Sequence, residues 1–275
     1  MSILIDTHAH PLMIKEFYEK KNKTYYDTES EIAQWKKNNI KKIICISTQL
    51  SDYDKYKELS KEENSLYYFS GGIHPCDINK NTFNEDINNL EKKIINDTNT
   101  QSNLVAIGET GIDLYHEKDL LNEQKKTFAK HIEIAITYKL PLVIHTRNAS
   151  QETFDILSAY KNYNITGVIH CFDGDEKWAR NWLNLGFYLG VGGSITYPKN
   201  THLRDILLKF GLSRIVLETD SPFLPPQQIR GHINTPLSIK IINNFISQFM
   251  NIPEKKCRDV FYINTITLFP KIINE

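Results

Sequence analysis

Three observations predict a parallel α/β barrel of the (β/α)8 type. Eight short apolar, β-branched runs recur along the chain, polar segments of helical spacing separate them, and each unit takes about 30 residues. Near-continuous hydrophobicity suits strands buried on both faces, as in a parallel sheet. A doubly wound open sheet is the structural alternative, but no GxGxxG motif follows the first run.

In chain order, the first run is ILID (3–6), and a helix is expected at 30–38 (SEIAQWKKN) before the second run, KIICIS (42–47). The third run is LYYFSG (66–71), followed by a helical segment at 86–97 (DINNLEKKIIND). LVAIG (104–108) precedes the long helical pattern 121–139, and LPLVIH (140–145) precedes 151–161. TGVIH (166–170), FYLGVG (187–192) and RIVLET (214–219) complete the eight, with helices expected at 176–186 and 202–211 between them. Gly186 and Gly211 close those two helices, where glycine relieves left-handed strain. Further helices are expected at 238–250 and 254–269. The Trp178/Trp182 pair has the i, i+4 spacing of a packed helix face. No linker, low-complexity tract or boundary interrupts residues 1–275, which read as a single domain.

Composition narrows the function classes. The 275 residues carry 33 basic and 33 acidic side chains, so bulk charge does not drive nucleic-acid coating. A local cleft gripping a few phosphates is still allowed. Only six arginines, at 147, 180, 204, 214, 230 and 258, are available as forked phosphate clamps. The four cysteines, Cys45, Cys76, Cys171 and Cys257, form no CxxC pair and suit reduced thiols. No signal peptide and no apolar run of about 20 residues is present, so the expected location is cytoplasmic, or nuclear in a nucleated cell. No membrane contact and no obligate protein partner is expected.

In such barrels chemistry gathers at the C-terminal ends of the strands. The runs lead into His8 and His10, His74, Glu109, His145 with Arg147, His170, and Glu218 with Asp220. His-x-His on a strand points both imidazoles the same way, because side chains alternate with period two. His8 and His10 can then share one cation, Glu109 can bridge two, and His145 and His170 can hold the second. Asp220 can ligate a metal and orient or deprotonate a water. The mixed nitrogen and oxygen donors suit Zn²⁺ or Mn²⁺, whereas Mg²⁺ prefers more oxygen. His116, His131 and His202 are expected in surface or capping roles, and His232 on the rim.

Seven ordered motifs carry a resemblance: DTHAH (6–10), GGIHP (71–75), AIGETGID (106–113), PLVIHTRNA (141–149), IHCFDG (169–174), LETDSPFLPP (217–226) and RGHINTP (230–236). Together they resemble the TatD-type metal-dependent deoxyribonucleases of the amidohydrolase superfamily over about residues 3 to 240. The resemblance implies a two-metal hydrolase with ligands His8, His10, Glu109, His145, His170 and Asp220. It implies that His74 touches the scissile phosphate and that Arg147 and Arg230 are rim residues. The implied reaction is phosphodiester hydrolysis of DNA by a two-metal-activated hydroxide, with two divalent ions (Zn, Mn or Mg) and Asp220 as base. The expected substrate is single-stranded DNA or strand ends, trimmed from 3′ to 5′. Cys76, Asn148 and Asp173 depart from the family pattern, as does GIDLY (111–115). Two other functions remain open at this level. One is an amidohydrolase-type esterase or amidase, such as a D-aminoacyl-tRNA deacylase. The other is a non-catalytic binding scaffold.

Overall fold

The computed structural model describes residues 3–62, 65–100 and 102–273. Eight strands alternate with helices: β1 (Leu4–Ala9), β2 (Ile40–Cys45), β3 (Tyr67–Gly71), β4 (Leu104–Asp113), β5 (Leu142–Arg147), β6 (Gly167–Ile169), β7 (Tyr188–Val191) and β8 (Ile215–Leu217). The sheet order follows the chain, β1 to β8, which is the topology of the expected (β/α)8 class. The helices are α1 (Pro11–Asn22), α2 (Thr28–Lys37), α3 (Leu50–Ser60), α4 (Phe83–Thr98), α5 (Leu121–Tyr138), α6 (Ser150–Ala159), α7 (Glu176–Asn184), α8 (Thr201–Phe210), α9 (Ser238–Phe249) and α10 (Glu254–Leu268). Helices α1 and α3 lie where the sequence pattern marks none. In α1 only Ile14 is buried, and in α3 the buried apolar side chains are tyrosines, Tyr53 and Tyr56, so neither shows an aliphatic stripe.

The chain forms two compact units. The first comprises Met1–Cys45, Cys171–Ala179 and Leu189–Thr267. In it β1 pairs in parallel with β2, Asp6 facing Ile43, and β7 pairs with β8, Val191 facing Leu217. Helix α9 lies on β1 and buries Ile239, Ile242 and Ile246, a 3.6-residue stripe. From α10, the Asn264 amide donates to the carbonyls of Leu212 and Ile215 at 2.6 and 2.7 Å and fixes the entry to β8.

The second unit comprises Ile46–His170, Arg180–Tyr188 and Leu268–Glu275. Here β3, β4, β5 and β6 pair in parallel, with Gly71 opposite Ile107, Gly111 opposite His145 and Ile144 opposite Ile169. Strand β4 runs five residues beyond the apolar stretch LVAIG, so Glu109 lies within it rather than after it. Helix α5 packs Phe128, Ile132 and Ala135 against β4. Burying each such large apolar side chain contributes roughly 1.5–3 kcal/mol. Tyr53 of α3 donates to Asp97 at 2.6 Å, and Lys57 meets the other carboxylate oxygen at 2.6 Å.

His131 corrects one expectation. It is fully buried in α5 rather than on the surface. Its Nδ1 donates to the Thr127 carbonyl at 2.7 Å, and its Nε2 accepts from the Ile73 amide at 3.1 Å. Only the neutral ring can do both. Burial pushes the imidazole pKa down to about 4, against the raising effect of the Thr127 carbonyl. Below about pH 6.5 the unfolded chain therefore binds a proton that the folded chain refuses, and stability falls as pH drops. This group is expected to account for about 3 kcal/mol of lost stability by pH 4. Urea unfolding across that window should show a shallower acid slope in His131→Gln; an unchanged slope would contradict the neutral assignment.

Candidate metal centres

Each compact unit carries its own cluster of imidazole and carboxylate groups. In the first unit, alternation along β1 aims His8 and His10 the same way, as the His-x-His spacing implies. Their Nε2 atoms lie 3.3 Å apart, and the rings meet at 72°. Oδ1 of Asp220 lies 3.7 Å from His8 Nε2 and 3.5 Å from His10 Nε2. Asp220 reaches this place through a left-handed backbone (φ 54°), a conformation Asp tolerates better than most residues. Its amide donates to the His8 carbonyl at 2.9 Å, and the His10 amide donates to the Ser221 carbonyl at 2.8 Å. These two bonds zip the segment after β8 onto the end of β1.

Beneath the cluster, Asp6 is buried and accepts from the Thr219 hydroxyl at 2.6 Å, the Thr219 amide at 3.0 Å and the His8 amide at 3.3 Å. Burial pushes its pKa up to about 7, against the lowering effect of those bonds. Glu218, also buried, accepts from the Cys171 amide at 2.6 Å and occupies the space that a side chain at Gly190 would fill.

In the second unit Glu109 faces three imidazoles. Its Oε1 lies 3.1 Å from His145 Nδ1, 3.7 Å from His74 Nε2 and 3.9 Å from His170 Nε2. Backbone hydrogen bonds position two of them: the Glu109 amide donates to the Ser47 carbonyl at 3.0 Å and the His170 amide to the Ile144 carbonyl at 2.9 Å. Nδ1 of His74 accepts from the Cys76 amide at 3.1 Å. The proton of neutral His74 therefore sits on Nε2, aimed to donate.

Asp113 was not legible as a site residue. It follows Glu109 by four residues on β4, so the two share a strand face, with Gly111 between them. Its Oδ2 lies 3.1 Å from His145 Nε2, so His145 is held between two carboxylates. Burial alone would depress the His145 pKa, but the hydrogen bonds to Asp113 and Glu109 outweigh it, and the net shift is upward. For Asp113 burial acts upward, yet its bonds with His145 and His116 hold it well below the usual carboxylate range. Carboxylates that orient metal-binding imidazoles in this way typically contribute 10–100-fold to affinity or activity. Asp113→Asn is accordingly expected to lower hydrolytic activity by about 10–100-fold with the circular dichroism spectrum unchanged. Wild-type turnover in that variant would remove Asp113 from the machinery.

The two arginines expected at the rim lie outside both clusters. Arg147 is exposed and stacks over Tyr115 at 4.4 Å, and Arg230 is exposed and stacks over Tyr197 at 4.6 Å. His202 pairs with Asp173 at 2.9 Å on the surface.

The donor chemistry of both clusters fits divalent metal. Two nitrogens bound to a tetrahedral zinc at about 2.0–2.1 Å lie about 3.3 Å apart. The His8–His10 separation has this value, and a carboxylate oxygen stands beside both rings. His8, His10 and Asp220 form one donor set; in the second cluster Glu109 and His145 stand as donors, with His74 beside them turning its Nε2 proton inward.

Comparison with known proteins places these residues in context. The family model described as TatD related DNase matches residues 5–270. A metal-dependent hydrolase from Buchnera aphidicola subsp. Acyrthosiphon pisum is 33% identical over 97% of this chain and 98% of its own. The metal-dependent hydrolase YcfH of Escherichia coli K12 is 30% identical over 97% of this chain and 95% of its own. Among solved structures, the TatD homologue YjjV of Escherichia coli K12 superposes with a TM-score of 0.82 at 24% identity, covering 97% of this chain and 98% of that one. A TatD-family hydrolase from Entamoeba histolytica superposes with a TM-score of 0.82 at 21% identity over 98% of both chains. These likenesses agree with the strand order in giving the (β/α)8 fold.

Proposed function

From the premise that this chain belongs to the TatD-related family of metal-dependent hydrolases, we propose that it hydrolyses the phosphodiester bonds of DNA, trimming single strands from the 3′ end. The observation that carries this reading is the convergence of His8, His10 and Asp220 in one cluster, and of His74, Glu109 and His145 in another, within a family match spanning residues 5–270. His8, His10 and Asp220 would hold one divalent ion, and Glu109, His145 and His170 would hold a second. Such ions, when bound, neutralise phosphate charge and lower the pKa of water.

The chain's own residues supply the rest. The Asp220 carboxylate accepts a proton from the attacking water, a contribution of typically 10²–10⁴-fold for a positioned base. The water oxygen bonds to phosphorus, the bond from phosphorus to the leaving sugar oxygen breaks, and that oxygen takes up a proton from solvent. His74 donates from Nε2 to a non-bridging phosphate oxygen as its charge grows. Arg147 and Arg230, each steadied on a tyrosine ring, offer forked donors to flanking phosphates. No helix among the described residues is long and apolar enough to cross a membrane. Four cysteines that form no CxxC pair suit reduced thiols, which supports a cytoplasmic setting.

The mode of cutting has its own test. A 3′-labelled single strand should release labelled mononucleotide, a 3′-blocked strand should resist, and a circular strand should stay intact. Equal cutting of all three would replace the end-trimming mode by internal cleavage. Turnover of esters or D-aminoacyl-tRNA without any DNA release would move the reading to amide or ester chemistry.

A further inference from the structure

A third group of donors lies in the second unit, apart from the residues assigned above as metal ligands. The Cys76 thiol, a carboxylate oxygen of Asp113 and a ring nitrogen of His116 all lie within 4.8 Å of one another. Cys76 sits in the short turn Pro75–Asp77 after β3, and Asp113 ends β4. The chain then turns tightly: Oδ1 of Asp113 accepts from the amides of Tyr115 at 2.8 Å and His116 at 2.7 Å. That turn brings the His116 ring back, with Nδ1 2.9 Å from Asp113 Oδ2.

We propose that Cys76, Asp113 and His116 form an accessory site for one thiophilic divalent cation of the Zn²⁺ class, adjoining the second cluster through Asp113, which also meets His145. The donor set is the first argument. One sulfur, one imidazole nitrogen and one carboxylate oxygen are a borderline-soft combination, which suits Zn²⁺ and does not suit Mg²⁺ or Ca²⁺. Access is the second. Asp113 is buried and Cys76 half-buried, whereas His116 is exposed, so the group opens to solvent on one side and leaves a fourth position for water. The preformed geometry is the third: the turn that follows β4 already holds a ring nitrogen and a carboxylate oxygen 2.9 Å apart on the side where the thiol stands.

The chemistry balances simply. The ion takes the place of the proton between His116 Nδ1 and Asp113 Oδ2, and His116 stays neutral with its proton on Nε2. The Cys76 thiol proton leaves to solvent, so each ion bound releases one proton. Oδ2 of Asp113 has a second lone pair, which lets it keep the hydrogen bond from His145 Nε2.

Cobalt(II) reports the site without any assay of activity, because thiolate ligation gives a sulfur-to-cobalt charge-transfer band and imidazole–carboxylate sites do not. Metal-stripped full-length protein titrated with Co²⁺ should show this band and should bind one ion more per chain than Cys76→Ser. The band should vanish in Cys76→Ser, weaken in His116→Ala, and persist in Cys171→Ser and Glu109→Ala. Loss of DNA hydrolysis with the band intact would count against the proposed function and leave this site standing. No sulfur band at saturating cobalt, or a band that survives Cys76→Ser, would overturn the proposal.

Discussion

Glu109→Ala is expected to lower metal-dependent DNA hydrolysis by about three orders of magnitude or more, since a metal ion contributes several kcal/mol of charge stabilisation and each 1.4 kcal/mol is about tenfold. Glu109 is buried, and a single oxygen faces His145, His74 and His170 at 3.1–3.9 Å. It stands within 4 Å of all three rings. Removing it leaves imidazoles that repel one another when protonated and offer no anionic ligand to a metal. Glu109→Gln keeps the volume and one carbonyl oxygen but not the charge, and is expected to fold normally and lose nearly as much. Steady-state release of nucleotides, measured beside metal content and circular dichroism, separates loss of function from loss of fold. A Gln variant with near wild-type rate would remove Glu109 from the reaction.

Gly111→Ala is expected to destabilise the protein by about 3 kcal/mol or more, because a strained backbone and an overpacked contact each cost about 1–3 kcal/mol. Gly111 has φ 144°, where side chains are rarely tolerated, and an added Cβ would stand 1.9 Å from the His145 carbonyl oxygen. The same glycine lets β4 and β5 approach where Gly111 faces His145, between Glu109 and Asp113 on one strand face. The substitution should therefore reduce both the urea midpoint and the hydrolytic rate, and lower metal affinity in the fraction still folded. A stability within 1 kcal/mol of wild type would show that the strands can part without cost.

Strands were the most legible feature of the sequence, because parallel strands buried on both faces are continuous apolar runs. The polar end of β4, ETGID, was hidden for the same reason: its residues serve the site and break the run. Helices α1 and α3 bury too few aliphatic side chains to show a stripe, and tertiary packing rather than pattern sets them. His8 and His10 were legible through period-two alternation alone. Asp220 was legible as a residue type at a strand end, but its approach depends on a left-handed backbone and on pairing with β1, more than 200 residues away in sequence. Asp113 and the buried His131 carried no local signal. Each acts through a partner, His145 or the Ile73 amide, that only the fold brings near.

Metal-driven cleavage of DNA is tested most directly by adding Zn²⁺, Mn²⁺ or Mg²⁺ back to metal-stripped protein while recording bound metal and nucleotide release from a 3′-labelled single strand. The predicted result is that hydrolysis is absent without metal and rises in step with occupancy. It should also vanish in Glu109→Ala and in Asp220→Ala. Full metal occupancy with no DNA cut, or undiminished cutting by the stripped protein, would contradict the assigned function.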